Sequence, residues 1–388
     1  MLKFDYSIPT KIHFGKGRIQ ILARTIKQYG SRVLLTYGGG SIKKNGVYDK
    51  IVEILNNNDI PFFELGGIDP NPRLSSVKDG IKICKENNID FVLAIGGGSV
   101  IDCSKIIAAG CYYENDPWDF FTGKARIKEA LPIGTILTLA ATGSEMNGNA
   151  VISNLETEEK LPTAGEVLKP KFSILDPSYT ATVPVKQTAA GTVDIMSHAF
   201  EQYFSPTEGA FLQDRLAEAV IKTCIKYGPI AINNPEDYEA RANLMWASSI
   251  ALNGLLTYGK FTDWATHGIE HELSAIYDIT HGIGLAILTP RWMEYVLDES
   301  TVDKFVEYGV NVWGIPMEEN KFNTAKKAIE KTKEFFIQLG IPMTLQEVGI
   351  NEERLEEMAE KATKFRPLGS FKRLKKDDVL QIFKASLK

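Results

Sequence analysis

Read for hydrophobic and polar spacing, the chain changes texture once. Its first half alternates short apolar runs with amphipathic stretches. The runs Arg32–Tyr37, Pro61–Leu65, Phe91–Ile95, Ile133–Thr138 and Ser173–Asp176 have strand length and are mainly apolar. Between them, Arg18–Tyr29, Leu74–Asn88 and a segment from Ile101 repeat their apolar residues at helical spacing. The opening FDYSIPTKIHFGKG reads as two short strands, and Gly148–Thr163 as further strand and turn. Strand–helix alternation of this kind predicts a parallel, Rossmann-like sheet with helices on both faces. After Pro184 strand-like runs become sparse. Helical spacing covers 185–203, 209–228, 235–257, 263–276, 282–296, 300–310, 319–339, 351–363 and 376–386. The expected architecture is an α/β domain over residues 1–183 followed by an all-α domain over 184–388.

Composition narrows the class. Hydrophobic residues make up 44% and charged residues 24% of 388, an ordinary globular balance. A formal charge of −5 suggests no nucleic-acid partner. Cys84, Cys103, Cys111 and Cys224 form no CxxC pair or disulfide framework, so they read as thiols in a reducing cytoplasm. No apolar signal core or membrane-length segment is visible, and a cytoplasmic protein is expected.

Two glycine turns follow predicted strands. One is Tyr37-Gly38-Gly39-Gly40-Ser41; the other is Ile95-Gly96-Gly97-Gly98-Ser99. Neither is GxGxxG, but both stand at the strand ends where α/β sheets take ligands. Glycine lets backbone amides approach a phosphate, and the next helix N-terminus favours the anion. We place a pyrophosphate on Gly97, Gly98 and Ser99. The first turn offers Ser41, Lys43 and Lys44 but no acid for a ribose 2′-hydroxyl, which favours NADP(H) over NAD. A third polar cluster runs from Thr138 through Thr142, Ser144 and Asn147. It suits a ribose or carboxamide, or equally a capped helix start.

Four of the five histidines, His198, His267, His271 and His281, lie in the helical half. Asp194 and His198 are spaced i,i+4, as are His267 and His271, so each pair shares a helix face. Asp194, His198, His267 and His281 together form a candidate metal site. One carboxylate with imidazoles suits Fe2+ or Zn2+. Each pair alone also reads as a helix-surface or core pair. The stretch His267-Gly-Ile-Glu-His271 lacks the Glu after the first His that a zinc-protease motif requires.

The chain resembles the iron-containing (group III) alcohol dehydrogenases, in particular their NADPH-dependent butanol dehydrogenase and aldehyde reductase branch. The resemblance spans nearly the full length and implies a site in the cleft between the two domains. It rests on FGKG at 14–17, TYGGGSIKKNG at 36–46, Asn71-Pro72, GGGSVIDCSK at 96–105, TLAATGSEMN at 138–147, GTVDIMSHAFE at 191–201 and the His267/His271/His281 segment. Ala140-Ala141 before Thr142-Gly143 departs from the glycine that many members carry there. The resemblance implies Asp194, His198, His267 and His281 as ligands of iron, with zinc or another divalent ion as the variant. His271 would lie close by, as a proton relay or a ligand-orienting group. Nucleotide contacts would fall on Gly38, Gly39, Ser41, Asn71, Gly97, Gly98, Ser99, Asp102, Thr138, Thr142, Asn147, Lys160, Tyr179 and Thr182. Phe261 and Trp264 are candidates for the pocket of a short aldehyde or alcohol, and a homodimer is implied. Two relatives in fold offer rival readings: an NAD- and zinc-dependent polyol dehydrogenase, and a dehydroquinate-synthase-like lyase. The absent acid after Tyr37 counts against the first. The scarcity of basic residues near the ligand segments counts against the second.

Overall fold

The computed structural model describes residues 1–388. Eight strands are present: β1 (Lys11–Phe14), β2 (Val33–Tyr37), β3 (Phe62–Leu65), β4 (Phe91–Gly96), β5 (Ile133–Leu137), β6 (Asn149–Asn154), β7 (Glu159–Ala164) and β8 (Phe172–Leu175). Six of them form a wholly parallel sheet in the order β1-β8-β5-β4-β2-β3. β6 and β7 make a separate antiparallel pair. The helices of the first half are α1 (Leu22–Ile26), α2 (Ser41–Lys44), α3 (Val47–Asn56), α4 (Leu74–Glu86) and α5 (Gly98–Gly110).

The central strands are apolar throughout because both sheet faces are covered. Strand alternation sends Leu34, Val92 and Ala94 into one core, where Val77, Ile101 and Ile106 of α4 and α5 meet them. Val33, Leu35, Phe91, Leu93 and Ile95 enter the other, against Leu22, Ile26, Ile51 and Leu55. At the start of the chain only Lys11–Phe14 is a strand, not two as expected; it pairs with β8 alone as the sheet edge.

The remaining helices are α6 (Val185–Tyr203), α7 (Phe211–Asn233), α8 (Tyr238–Ala251), α9 (Ala265–Tyr277), α10 (His281–Val296), α11 (Val302–Trp313), α12 (Lys321–Gln338), α13 (Leu355–Ala362) and α14 (Lys376–Ala385). No helix is long and apolar enough to cross a membrane. The chain divides into two compact units. One holds Ser7–Val183 and Pro235–Asn253, the other Met1–Tyr6, Pro184–Asn234 and Gly254–Lys388. The expected division at 183/184 therefore differs at two segments, and α8 is the larger. Its Met245 is buried in the core with Leu34 and Val92. Helical periodicity shows that a helix has an apolar face, but not which core receives it.

Candidate functional site

The glycine turns and the Thr138 cluster gather at one edge of the parallel sheet. Parallel strands all end on the same side, so the segments after β2, β4, β5 and β8 converge there. Gly97 is extended, Gly98 begins α5, and Ser99 follows in its first turn. A side chain at Gly98 would place its Cβ 2.4 Å from Thr142 Oγ1, so only glycine admits Thr142 here. Nothing stands within 4 Å of a Cβ at Gly39, which leaves that turn open. Asn71 is buried and holds a left-handed φ of 52°, a conformation Asn tolerates better than most residues. Lys160 lies buried on β7, and Tyr179 and Thr182 follow β8.

Asp102 differs from the rest of this set. Its Oδ1 accepts the Ser144 hydroxyl at 2.5 Å and its Oδ2 accepts the Val151 N–H at 2.9 Å. Both oxygens are thus engaged within the protein. Beside it Lys105 is fully buried and donates to Ser144 Oγ (2.7 Å), Asn147 Oδ1 (3.1 Å) and the Asn149 carbonyl (2.7 Å). Asn147 in turn donates to the carbonyls of Gly143 and Leu252. Residues 142–147 are therefore held from beneath by α5 and from the side by the end of α8.

Lys43 has neighbours of its own. Its ammonium lies 4.8 Å and 4.5 Å from the ring centres of Tyr37 and Tyr48 and 3.9 Å from Glu64 Oε2. Glu64 accepts both tyrosine hydroxyls. The cation is committed to this exposed cluster.

The histidines converge on α6, α9 and the first turn of α10. α6 and α10 touch closely: a Cβ at Gly282 would lie 2.1 Å from the Ala190 carbonyl. That approach brings His281 over α6. Asp194, His267 and His281 present donor atoms within 4.8 Å of one another. His281 Nε2 is 3.8 Å from Asp194 Oδ1. His198 stands outside this tightest trio but adjoins it, with Nδ1 3.5 Å from Asp194 Oδ1 and its ring 4.7 Å from that of His267. Asp194 Oδ1, His198 Nδ1 and His267 Nε2 are buried without a hydrogen-bond partner. Burial lowers the pKa of His198 to about 4 despite the opposing Asp194 charge, so its imidazole is neutral at ordinary pH. Neutral imidazole is the ligating form.

Known proteins bear on this arrangement. Residues 9–177 match the family model for iron-containing alcohol dehydrogenase, and residues 188–387 that for the C-terminal region of the same family. The chain belongs to the iron-containing alcohol dehydrogenases. NADH-dependent butanol dehydrogenase B of Clostridium acetobutylicum is 60% identical over 390 residues, covering 100% of both chains. The NADPH-dependent aldehyde reductase YqhD of Escherichia coli is 44% identical over 354 residues, 90% of each. The crystal structure of NADH-dependent butanol dehydrogenase A from Thermotoga maritima superposes with a TM-score of 0.96 at 42% identity, covering 100% of this chain and 99% of that one.

In this iron-containing alcohol dehydrogenase two glutamates complete the histidine cluster, and sequence reading named neither. Glu201 Oε1 meets His267 Nδ1 at 2.8 Å and also accepts the His267 N–H and the Thr266 hydroxyl. Burial works to raise its pKa, but the contacts from His267 and Thr266 outweigh it and hold the carboxyl below its usual value. Glu270 Oε2 meets His281 Nδ1, and its Oε1 accepts the Ser274 hydroxyl. The available signal was spacing: Glu201 is three residues after His198, and Glu270 three after His267. His271 belongs to a second close group with Glu270 and His281, its ring 5.8 Å from that of His281. Trp264 packs its ring 5.1 Å from His267, at a left-handed φ of 63° that costs an aromatic residue strain. Phe261 is 58% exposed and donates its N–H to Thr207; it makes no ring contact with these histidines.

Proposed function

We propose that this family member interconverts short-chain aldehydes, such as butanal, and primary alcohols by hydride transfer with a nicotinamide dinucleotide. We infer that a divalent metal, iron by family and zinc as the alternative, is held by Asp194, His198, His267 and His281. The observation that carries this reading is the set of unpartnered buried atoms, Asp194 Oδ1, His198 Nδ1 and His267 Nε2. Buried polar groups are nearly always satisfied, and these adjoin one another without a hydrogen bond between them. One carboxylate and three imidazoles fit a borderline cation.

When bound, the metal supplies Lewis acidity that polarises a carbonyl and favours developing charge on its oxygen. The protein's own residues do the remaining work. Gly97, Gly98 and Ser99 offer backbone N–H groups at the start of the 13-residue α5 to a pyrophosphate. Lys105 holds Asn147 and Asp102 holds Ser144, whose N–H donates to Thr142 Oγ1, so the polar segment is fixed in place for the nucleotide. His271, one helical turn from His267 and beside His281, is the group proposed to pass a proton toward solvent. Trp264 walls the histidines with apolar surface suited to a short alkyl chain.

Two considerations bear on the choice of nucleotide. No acid stands between Gly38 and Lys44, which supports admission of the NADP(H) 2′-phosphate. Lys43, however, is committed to Glu64 and two tyrosine rings. The relatives' names divide between NADH and NADPH. We retain NADP(H) as the proposed cofactor, with NAD(H) as its competitor; the ratio of kcat/KM for the two decides.

The test follows absorbance of NADPH and NADH with butanal, before and after chelation and with Fe2+ or Zn2+ restored. Absence of metal-dependent oxidation with every short aldehyde sinks the proposal. His267→Ala is expected to lose metal and activity but keep nucleotide binding. A homodimer is proposed as well, checked by light scattering in solution.

A further inference from the structure

We propose that Glu201 and Glu270 are positioning residues for the metal: each accepts the Nδ1–H hydrogen bond of one histidine, His267 or His281, and so turns that ring's Nε2 lone pair toward Asp194. The proposal rests on the metal reading above and goes beyond it by naming what orients the ligands.

A carboxylate can only accept. Since Glu201 Oε1 stands 2.8 Å from His267 Nδ1, the ring proton sits on Nδ1 and Nε2 is left bare. That bare atom is the one buried without a partner. His281 is held in the same sense, its Nδ1 meeting Glu270 Oε2 while its Nε2 lies 3.8 Å from Asp194 Oδ1. Two histidines from different helices thus show one arrangement, set by two separately placed acids.

Both acids are built into the fold. Glu201 is 2% exposed and Glu270 0%. Glu201 is pinned by the Thr266 hydroxyl and the His267 N–H besides the ring. Glu270 is pinned by the Ser274 hydroxyl. Room for it comes from Gly284, where a Cβ would lie 2.8 Å from Glu270 Cγ and 2.9 Å from Oε1. Buried carboxylates are costly unless paired. With Asp194, these two place three carboxylates around the same imidazoles, a charge that a bound divalent cation would offset. An imidazole hydrogen-bonded to a carboxylate is also the more basic ligand.

Co2+ is the probe, because its visible absorption reports its ligands directly. Its dissociation constant is measured by chelator competition on the metal-stripped full chain, for wild type, Glu201→Gln, Glu270→Gln, Glu270→Leu and Gly284→Ala. A glutamine keeps an acceptor for Nδ1–H but removes the charge, and a loss of about tenfold in affinity is expected. Leucine removes both and is expected to cost about a hundredfold. Gly284→Ala leaves the acid in the chain but drives it off His281, and it should weaken Co2+ in the same direction. The Co2+ absorption bands should shift in all four. NADPH binding by fluorescence and the thermal midpoint of the stripped protein report folding; should Glu201→Gln fail to fold, the three variants on the Glu270 side decide. If wild type binds Co2+ and the folded variants bind it within twofold with unchanged bands, the positioning proposal is overturned and the metal reading survives. If wild type takes no Co2+, the metal reading itself fails.

Discussion

Replacing Lys105 by methionine removes a buried ammonium while nearly preserving volume. Lys105 is fully buried, and all three of its protons are used, on Ser144 Oγ, Asn147 Oδ1 and the Asn149 carbonyl. Hydrogen bonds to a charged donor contribute about 1.5–3 kcal/mol each. Against them stands the cost of burying the charge. Burial lowers the Lys105 pKa from 10.5 to about 8, with the Asp102 and Glu145 charges opposing, which corresponds to roughly 3 kcal/mol. Methionine leaves the Asn149 carbonyl bare, whereas Asp102 keeps Ser144 and Val151, and Asn147 Oδ1 keeps the Asn149 N–H. The net loss expected at pH 7 is about 3 kcal/mol. Chemical denaturation followed by circular dichroism measures it. The pH dependence gives a sharper check. Because the folded pKa is the lower one, the unfolded chain binds more protons between about pH 8 and 10.5, and stability from this group rises across that window. The wild type should therefore widen its lead over Lys105→Met when the measurement moves from pH 7 to 9.5. Nucleotide KM should rise about tenfold as residues 142–147 loosen, by the roughly 1.4 kcal/mol of one lost hydrogen bond, with metal content unchanged. A variant as stable as wild type at pH 7, or a gap that does not grow with pH, refutes the reasoning.

Other outcomes follow from close contacts and from the metal. Gly98→Ala brings a Cβ to 2.4 Å from Thr142 Oγ1; nucleotide KM should rise tenfold or more while bound metal, read by elemental analysis, is unchanged. At Gly282 the obstacle is backbone, the Ala190 carbonyl at 2.1 Å, so Gly282→Ala should cost about 1–3 kcal/mol or more in chemical denaturation. Chelation should abolish aldehyde reduction and lower the thermal midpoint, and both should return with Fe2+ or Zn2+, because a ligand bound only to the folded state stabilises it. A thermal midpoint indifferent to chelator and to added metal argues against a metal in this histidine cluster.

Much of this was legible from residue order. Continuous apolar runs of strand length have one stable setting, a parallel sheet covered on both faces, and β2, β4, β5 and β8 follow from it. The i,i+4 spacing of Asp194 with His198 is a local fact that any helix converts into a shared face. Glycine after a strand likewise announces an open backbone. Periodicity stops at the choice of neighbour. It shows that α8 has an apolar face, but only packing sends Met245 to the sheet core. It brings out His267 and His281, but not the acids on their Nδ1 atoms, since His281 and Glu270 lie on different helices and meet through a gap left by Gly284. The same limit applies to charge. Nothing in the sequence shows that Lys43 lies beside Glu64, or that Asp102 accepts from Ser144 and Val151. Local spacing is encoded by backbone geometry, which is short-ranged. The partner of a buried polar group is set by which helices pack together, a long-range outcome of filling the whole core.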